Sequence, residues 1–451
     1  MPVSQRPALP TAFATRHEAY LSGARTPRED MEATIENVVE REPELSAFAH
    51  LDFDASRHAA DASTERYRAG RPLGPLDGCP IGIKDIIETR DMPTGCGNAA
   101  FAGRMSGRDA ACVTALREAG AIPFGKTVTT EFAIGRSGPT VNAHDRARTP
   151  GGSSSGSAAA VGAGLLPLAL GTQTQGSVLR SASYNGCFGY KGTIGALPIG
   201  GVHPLSASHD HLGVFSQSLE DLWLAASAIA AIGNPGFPSL TGAAGRAPSP
   251  AKPQRLIRLY LKGWDEVASA HRTIFEAQLE ALAARGVDIV SRDDSAAVRA
   301  LETELDAHAD GSLDMVAYDM RSPYRDYVEQ YGEAMGPRIH ALVKRGYEIT
   351  SQDYDHLLFR QDTARRLTTQ TLLALGADGF IMPAASGPAP LGHEYTGSRT
   401  YLAYWSWLGF PAFSLPLMTA DGMPWGVQLA GVAHHDARLC ALARWMSGEG
   451  Q

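Results

Sequence analysis

The chain has 451 residues, 44% of them hydrophobic, which is enough to bury a large core in one large α/β unit or in two or three smaller domains. Its 40 basic and 48 acidic residues give a net charge of −8, which argues against a nucleic-acid surface and favours a small-molecule substrate. The 5 cysteines are scattered and never spaced as Cys-x-x-Cys, so neither a disulfide framework nor a zinc site is expected. No signal-peptide pattern and no membrane-length apolar run is found, which predicts a cytoplasmic protein without membrane contact.

The order of the predicted elements is that of an α/β protein. Thr26 and Pro27 supply the cap and the first turn of a helix in an N-terminal helical arm. Apolar strands and helices alternate from about residue 78 to 232, which is typical of α/β folds. Residues 254–290 predict a strand, a helix and a second strand, and residues 296–375 predict mostly helix.

Two serine runs framed by glycine lie close together, Thr149–Ser157 and Gly171–Arg180. Between them, the small residues 156–164 predict a short, closely packed helix, and the apolar residues 165–170 predict a buried strand that ends at Gly171. A loop that follows a buried strand is a usual place for catalytic groups. Successive N–H groups of this loop can converge as an oxyanion hole: those of Thr174, Gln175, Gly176 and Ser177. The alternative is a tight turn in which glycine and serine have structural roles only.

A serine nucleophile needs a base, and one lysine is placed to become neutral. Lys84 lies inside the apolar run Gly78–Ile87. Burial there disfavours the ammonium form, which lowers the pKa and makes the amine a general base. The alternative is a lysine whose amine reaches solvent or pairs with Asp85.

Together, Lys84 and the two serine runs resemble the amidase signature family in their order, spacing and context. The resemblance implies a Ser–cis-Ser–Lys triad. In it, Ser177 is the nucleophile, Ser153 is the bridging serine that follows a cis peptide bond, and Lys84 is the base. It also implies that Ser154 holds the lysine and that the N–H groups of residues 174–177 form the oxyanion hole.

The resemblance extends over most of the chain, from about residue 70 to 445. It implies an α/β fold, the amidase signature fold, in which a mixed central β-sheet is sandwiched between layers of α-helices. Four segments are expected: an N-terminal helical arm (1–70), the core with the triad (71–235), a variable α/β and helical insertion that packs on the core (236–375), and the C-terminal part of the core (376–451).

Three residues near the triad bear on substrate choice. Gln175 stands where the family commonly has glycine, so its side chain must point away from the oxyanion or line the pocket. Gln173 replaces a frequent aspartate, which removes a buried charge. Arg180 resembles an arginine that binds the substrate's carboxylate in malonamidase-like members. The alternative for Arg180 is a structural guanidinium paired inside the core.

The predicted function is hydrolysis of the C–N bond of a small amide, acid-bearing or urea-like, through an acyl-enzyme and without a cofactor or metal. Two alternatives stay open: a glutaminase-like component of a tRNA-dependent amidotransferase, and a catalytically weak binding subunit. The sequence is compatible with a homodimer or with a small accessory subunit. Two rival sites are less well supported. One is a nucleophile elbow centred on Ser154, which lacks the preceding strand that it needs, and the other is a metal site at His209 and His211, which lacks further ligands.

Overall fold

The computed structural model describes residues 12–234, 236, 238, 240 and 246–449. The strands are β1 (Phe48–Leu51), β2 (Pro80–Lys84), β3 (Ile122–Thr127), β4 (Leu168–Gln173), β5 (Phe188–Lys191), β6 (His211–Ser216), β7 (Arg255–Arg258), β8 (Asp288–Val290), β9 (Gly379–Pro383), β10 (Ala412–Ala420) and β11 (Met423–Ala430). Within the described residues they form one mixed sheet of 11 strands in the order β1-β3-β2-β4-β6-β5-β10-β11-β9-β7-β8.

Helices flank this sheet, which confirms the predicted fold class. The helices are α1 (Phe13–Leu21), α2 (Pro27–Leu45), α3 (Phe53–Arg68), α4 (Ala111–Glu118), α5 (Ser155–Gly162), α6 (Leu179–Asn185), α7 (Leu219–Ala231), α8 (Gly263–Glu266), α9 (Ser269–Ala284), α10 (Ala296–His308), α11 (Gly311–Tyr331), α12 (Pro337–Glu348), α13 (Ser351–Ala374), α14 (Ala403–Trp407) and α15 (Asp436–Met446).

Helix α2 begins where its capping signal predicts. Thr26 Oγ1 accepts a hydrogen bond from Glu29 N, and the Glu29 carboxylate accepts one from Thr26 N, while Pro27 occupies the first turn. The apolar face of the helix is buried in a core cluster shared with β3 and α5 through Met31, Ile35 and Val38. Local capping and apolar spacing are therefore sufficient to place this helix in the arm.

Strand β4 differs from its prediction, because it begins at Leu168 and continues to Gln173 rather than ending at Gly171. Pro167 has no N–H to donate to a sheet ladder, so the strand starts after it. The polar end of the strand pairs antiparallel with β6, with Thr172 opposite Leu212 and Gln173 opposite His211. Thr172 is therefore a buried strand residue beside β2 rather than part of a loop.

All four predicted segments contribute strands to the one sheet. Strand β1 of the arm pairs with β3, and β7 and β8 of the 236–375 segment extend the far edge beyond β9. The strand–helix–strand unit at 254–290 is present, but its helix is split into α8 and α9. Residues 296–375 are mostly helical, as predicted, in α10 to α13.

Two further sequence predictions concern the cysteines and the membrane. The five cysteines are buried free thiols: Cys79, Cys96, Cys112, Cys187 and Cys440. In the part of the chain that the structure describes, no helix combines the length and the apolar character needed to cross a bilayer.

Candidate active site

A cavity of about 350 Å³ brings together distant parts of the chain. The turn after β4 contributes Gln175 and Ser177, and the turn before α5 contributes Ser153. Arg338, in the first turn of α12, and residues 394–400 line other parts of the cavity. The two serines expected to act in catalysis thus lie on one surface.

Lys84 is the last residue of β2, and its side chain is completely buried. Its Nζ lies 2.8 Å from Ser153 Oγ and 2.7 Å from Thr172 Oγ1. Strands β2 and β4 are parallel neighbours, with Ile83 opposite Leu170, and this register brings Thr172 beside the lysine. The sheet itself therefore places two hydroxyl groups on one buried amine.

Burial lowers the pKa of Lys84 well below its ordinary range, and the negative charge of Asp210 opposes this shift only in part. The neighbouring Asp85 lies 3.5 Å from the amine of another lysine, Lys126, so the alternative pairing of Lys84 with Asp85 is not seen. A neutral amine with a serine hydroxyl at hydrogen-bond distance can accept the proton of that serine.

Ser154 is placed differently from the expectation that it holds the lysine. Its Oγ lies 3.1 Å from Thr172 O and 3.3 Å from Thr172 N, so it fixes the backbone of Thr172. Among the described residues, the hydrogen-bond partners of Lys84 Nζ are Ser153 and Thr172. Ser154 is fully buried and does not line the cavity, which also argues against a nucleophile elbow centred on it.

Ser153 follows Gly152 through a cis peptide bond, the geometry that the family resemblance implies. A side chain at Gly152 would press against Thr396 and Thr130, so glycine is needed for close packing there. Arg180 Nη2 donates to Gly152 O over 2.6 Å, and Thr130 N donates to Ser153 O over 3.0 Å. These contacts hold the bridging serine from both sides.

The turn at residues 174–177 has the form expected of an oxyanion hole. The N–H groups of Gln175, Gly176 and Ser177 donate to no group among the described residues. Gly176 has φ of 136°, a conformation that favours glycine, and a side chain there would collide with Leu402. The turn therefore presents unused donors beside Ser177, as stabilisation of a developing oxyanion requires.

Gln173 supports this turn from inside the core. Its Oε1 accepts hydrogen bonds from Val178 N at 3.0 Å and Leu179 N at 3.1 Å, and its Nε2 donates to Ser406 Oγ at 3.1 Å. The side-chain amide satisfies the first N–H groups of α6 without adding a buried charge near Lys84. Gln173, which stands where the family frequently has aspartate, thus has a hydrogen-bond partner for each polar atom of its side chain.

Asp210 is a site residue that the sequence reasoning did not identify. Its carboxylate accepts a hydrogen bond from Thr174 Oγ1 at 2.7 Å and from the backbone N–H groups of Leu205 and Ser206. Burial raises its pKa, and these hydrogen bonds oppose that shift. Asp210 thereby fixes the start of the oxyanion turn. Its negative charge also raises the pKa of Lys84, against the larger effect of burial.

The histidines considered as metal ligands have other partners. His209 Nδ1 lies 2.7 Å from Ser208 Oγ, and its Nε2 lies 3.0 Å from Ser312 Oγ. His211 Nδ1 lies 2.6 Å from His209 O. Within residues 12–234 and 246–449, no group of three or more His, Cys, Asp or Glu side chains is arranged to hold a metal ion.

The cavity is rich in positive charge. Arg180, Arg338 and Arg399 line it, against one carboxylate, that of the exposed Glu394. Arg180 is buried, and it donates to Ser398 O at 3.0 Å as well as to Gly152 O, while its Nε has no hydrogen-bond partner in the described structure. Burial lowers its pKa, and the charges of the other two arginines act in the same direction. Arg180 thus has both structural contacts and a place on the cavity wall.

The comparisons with known proteins identify the family of the chain. The model of the family "Amidase" matches residues 29–440. The chain is 31% identical over 462 residues to the A subunit of glutamyl-tRNA(Gln) amidotransferase from Chloroflexus aggregans, covering 94% of this chain and 93% of the relative. It is 33% identical over 455 residues to the protein of that name from Ralstonia nicotianae, covering 90% and 91%.

Solved structures of amidases are similar as well. A crystal structure of an amidase superposes with a TM-score of 0.85 at 28% identity, covering 97% of this chain and 99% of the other. The peptide amidase of Stenotrophomonas maltophilia has the same fold, with a TM-score of 0.77 at 22% identity and 99% coverage of both chains. From its sequence match and its fold, the chain belongs to the amidase family, the amidase signature family, and is an amide-hydrolysing enzyme.

Proposed function

We propose that this enzyme hydrolyses the C–N bond of a small amide that carries a negative charge on its acyl part. The observation that carries the proposal is the charge of the cavity: three arginines and one carboxylate surround the same space as Ser153 and Ser177. An anionic group gains charge-assisted hydrogen bonds in such a cavity, whereas a neutral amide leaves the guanidinium groups without a counter-charge.

The mechanism follows from the contacts around the triad. Neutral Lys84 draws a proton through Ser153, and Ser177 attacks the amide carbonyl. The N–H groups of residues 174–177 bind the oxyanion. The proton returns through Ser153 to the leaving amine, and water then releases the acid from the acyl-enzyme. The 2.8 Å contact between Lys84 and Ser153 and the lowered pKa of the lysine support this sequence of steps.

Arg180 is the proposed partner of this negative charge, because its side chain lines the cavity. The test compares succinamate with 4-methylpentanamide, in which an isopropyl group replaces the carboxylate. Arg180→Gln removes the charge, and its shorter side chain also gives up the contact with Gly152 O, which should lower kcat for both amides alike. We expect it to raise KM for succinamate at least about tenfold, because a hydrogen bond to a charged group contributes about 1.5–3 kcal/mol, and to leave KM for the neutral amide nearly unchanged.

The matched control is Arg325→Ala, which removes an exposed arginine whose partners are Asp326 and Glu329 on its own helix. It should leave both KM values unchanged. A wild-type enzyme that prefers the neutral amide, together with an Arg180→Gln variant that changes KM equally for both amides, would show that Arg180 is structural and would contradict the proposal.

A second function is favoured by the relatives named as A subunits of an amidotransferase, with 31–33% identity over at least 90% of this chain. In that case the chain would release ammonia from glutamine and act with a partner protein. Ammonia release from succinamate and from glutamine by the purified chain alone separates the two functions. Turnover of glutamine only, and only after a partner is added, would favour the amidotransferase.

A further inference from the structure

The side chain of Gln175 connects the oxyanion turn to an arginine of the cavity. Arg399 Nη1 donates to Gln175 Oε1 over 2.5 Å, and Gln175 Nε2 donates to Ser312 Oγ over 2.8 Å. A guanidinium has donors only, so the carbonyl oxygen of the amide must face Arg399 and the amide nitrogen must face Ser312. The orientation of Gln175 is therefore determined by its two partners.

A hydrogen-bond chain continues from Ser312 through the buried His209 and fixes this arrangement. Burial lowers the pKa of His209 to about 4, so its ring is neutral near pH 7, with one donor and one acceptor nitrogen. Ser312 Oγ lies 3.0 Å from His209 Nε2, and Ser208 Oγ lies 2.7 Å from Nδ1. Ser208 in turn donates to the carboxylate of Asp319 over 2.6 Å. One consistent direction of donation runs from Arg399 to this carboxylate, so each group restrains the next.

Arg399 itself is half-buried and lines the cavity. Its side chain has one hydrogen-bond partner among the described residues, Gln175, and it forms no ion pair with a described carboxylate. Asp310 acts on it only as a more distant charge. The remaining N–H donors of the guanidinium are therefore available to a ligand in the cavity.

We propose that Arg399, held in place by Gln175 and Ser312, is a substrate-binding residue that recognises a second negative charge. The preferred substrate class is then a small amide with two anionic groups, one for Arg180 and one for Arg399. This inference rests on the proposed function and narrows its substrate. A zwitterionic amide such as glutamine is disfavoured, because its ammonium group would enter a cavity that keeps an excess of positive charge after Glu394 is counted.

The test uses three amides with the same carbon skeleton and one common carboxylate. They differ only in one substituent on the carbon that carries this carboxylate. Glutamine has an ammonium group at that carbon, 4-carbamoylbutanoate has hydrogen, and 2-(2-carbamoylethyl)malonate has a second carboxylate. Binding is measured by calorimetry with a Ser177→Ala variant that cannot turn the amides over, and hydrolysis is measured with the active enzyme. We expect the dianion to bind and react best and the zwitterion worst, with at least about tenfold between dianion and monoanion.

Two substitutions identify the residue responsible. Arg399→Met should weaken binding of the dianion at least about tenfold and change binding of the monoanion less than about threefold. Gln175→Met, which keeps the length but cannot bond the guanidinium, should lose part of the same preference. Arg325→Ala is the control for a general change of charge and should have no effect.

The outcomes separate the inference from the proposed function. Hydrolysis of the monoanion without a preference for the dianion, or an Arg399→Met variant that weakens all three amides equally, overturns the inference and leaves the proposed function standing. Binding in the expected order without hydrolysis of any amide overturns the proposed function and leaves the recognition by Arg399 standing. Absence of binding by all three overturns the inference.

Discussion

The contact between Thr172 and the lysine leads to a sharp prediction. Thr172→Val keeps the shape of the side chain but removes the hydroxyl that lies 2.7 Å from Lys84 Nζ. The amine then keeps Ser153 as its one hydrogen-bond partner among the described residues. Leaving a buried polar group without its partner costs about 1–3 kcal/mol.

That cost acts on the chemical step, because an amine with one partner no longer holds its lone pair towards Ser153. Converted into a rate, about 1–3 kcal/mol corresponds to a fall in kcat of about 5- to 150-fold. KM should change little, because Thr172 does not line the cavity. The assay is steady-state release of ammonia from an acidic amide such as succinamate, with a thermal melt to confirm that the variant is folded.

Thr172→Ser is the matched control, because it retains the hydroxyl and loses only a methyl group. It should keep kcat within about threefold of wild type, given that one hydrogen bond accounts for the effect. Equal losses with serine and valine would show that packing of the methyl group, and not the hydroxyl, matters. A raised KM with unchanged kcat would also refute the reasoning, because it would place Thr172 in substrate binding.

Three further predictions concern the nucleophile, the base and the N-terminal arm. Ser177→Ala should lose nearly all activity while it remains folded, whereas normal turnover by this variant together with a dead Ser154→Ala would favour the nucleophile elbow. Because Lys84 acts as a neutral amine, kcat/KM should rise with pH through an apparent pKa well below the free value of about 10.4. Chelators should not change kcat/KM, and Lys84→Arg should be inactive at every pH. Asp221 accepts hydrogen bonds from Phe13 N at 2.6 Å and from Ala14 N at 2.9 Å, so Asp221→Ala should lower the free energy of unfolding in urea by about 0.5–2 kcal/mol and leave kcat unchanged.

Much of the fold and part of the site were accessible from sequence because they depend on neighbouring residues. The capping box at Thr26 and Glu29 sets the start of α2, and the small residues after Ser155 form α5, as predicted. The serine runs also identified the family. Their glycines are a local signal, because the turn that carries Ser177 has a backbone conformation at position 176 that favours glycine.

What only the tertiary structure decided is which distant residues meet. Thr172 became a partner of Lys84 through the parallel pairing of β2 and β4, although its polarity suggested a loop. Arg399 comes from a segment far along the chain. Only its contact with Gln175 reveals the role of this glutamine, which stands where the family commonly has glycine. Such contacts depend on strand order and on the packing of the later segments, and no local pattern of residues encodes them. The sequence therefore determined the chemistry of the site, and the tertiary structure determined the charge that surrounds it.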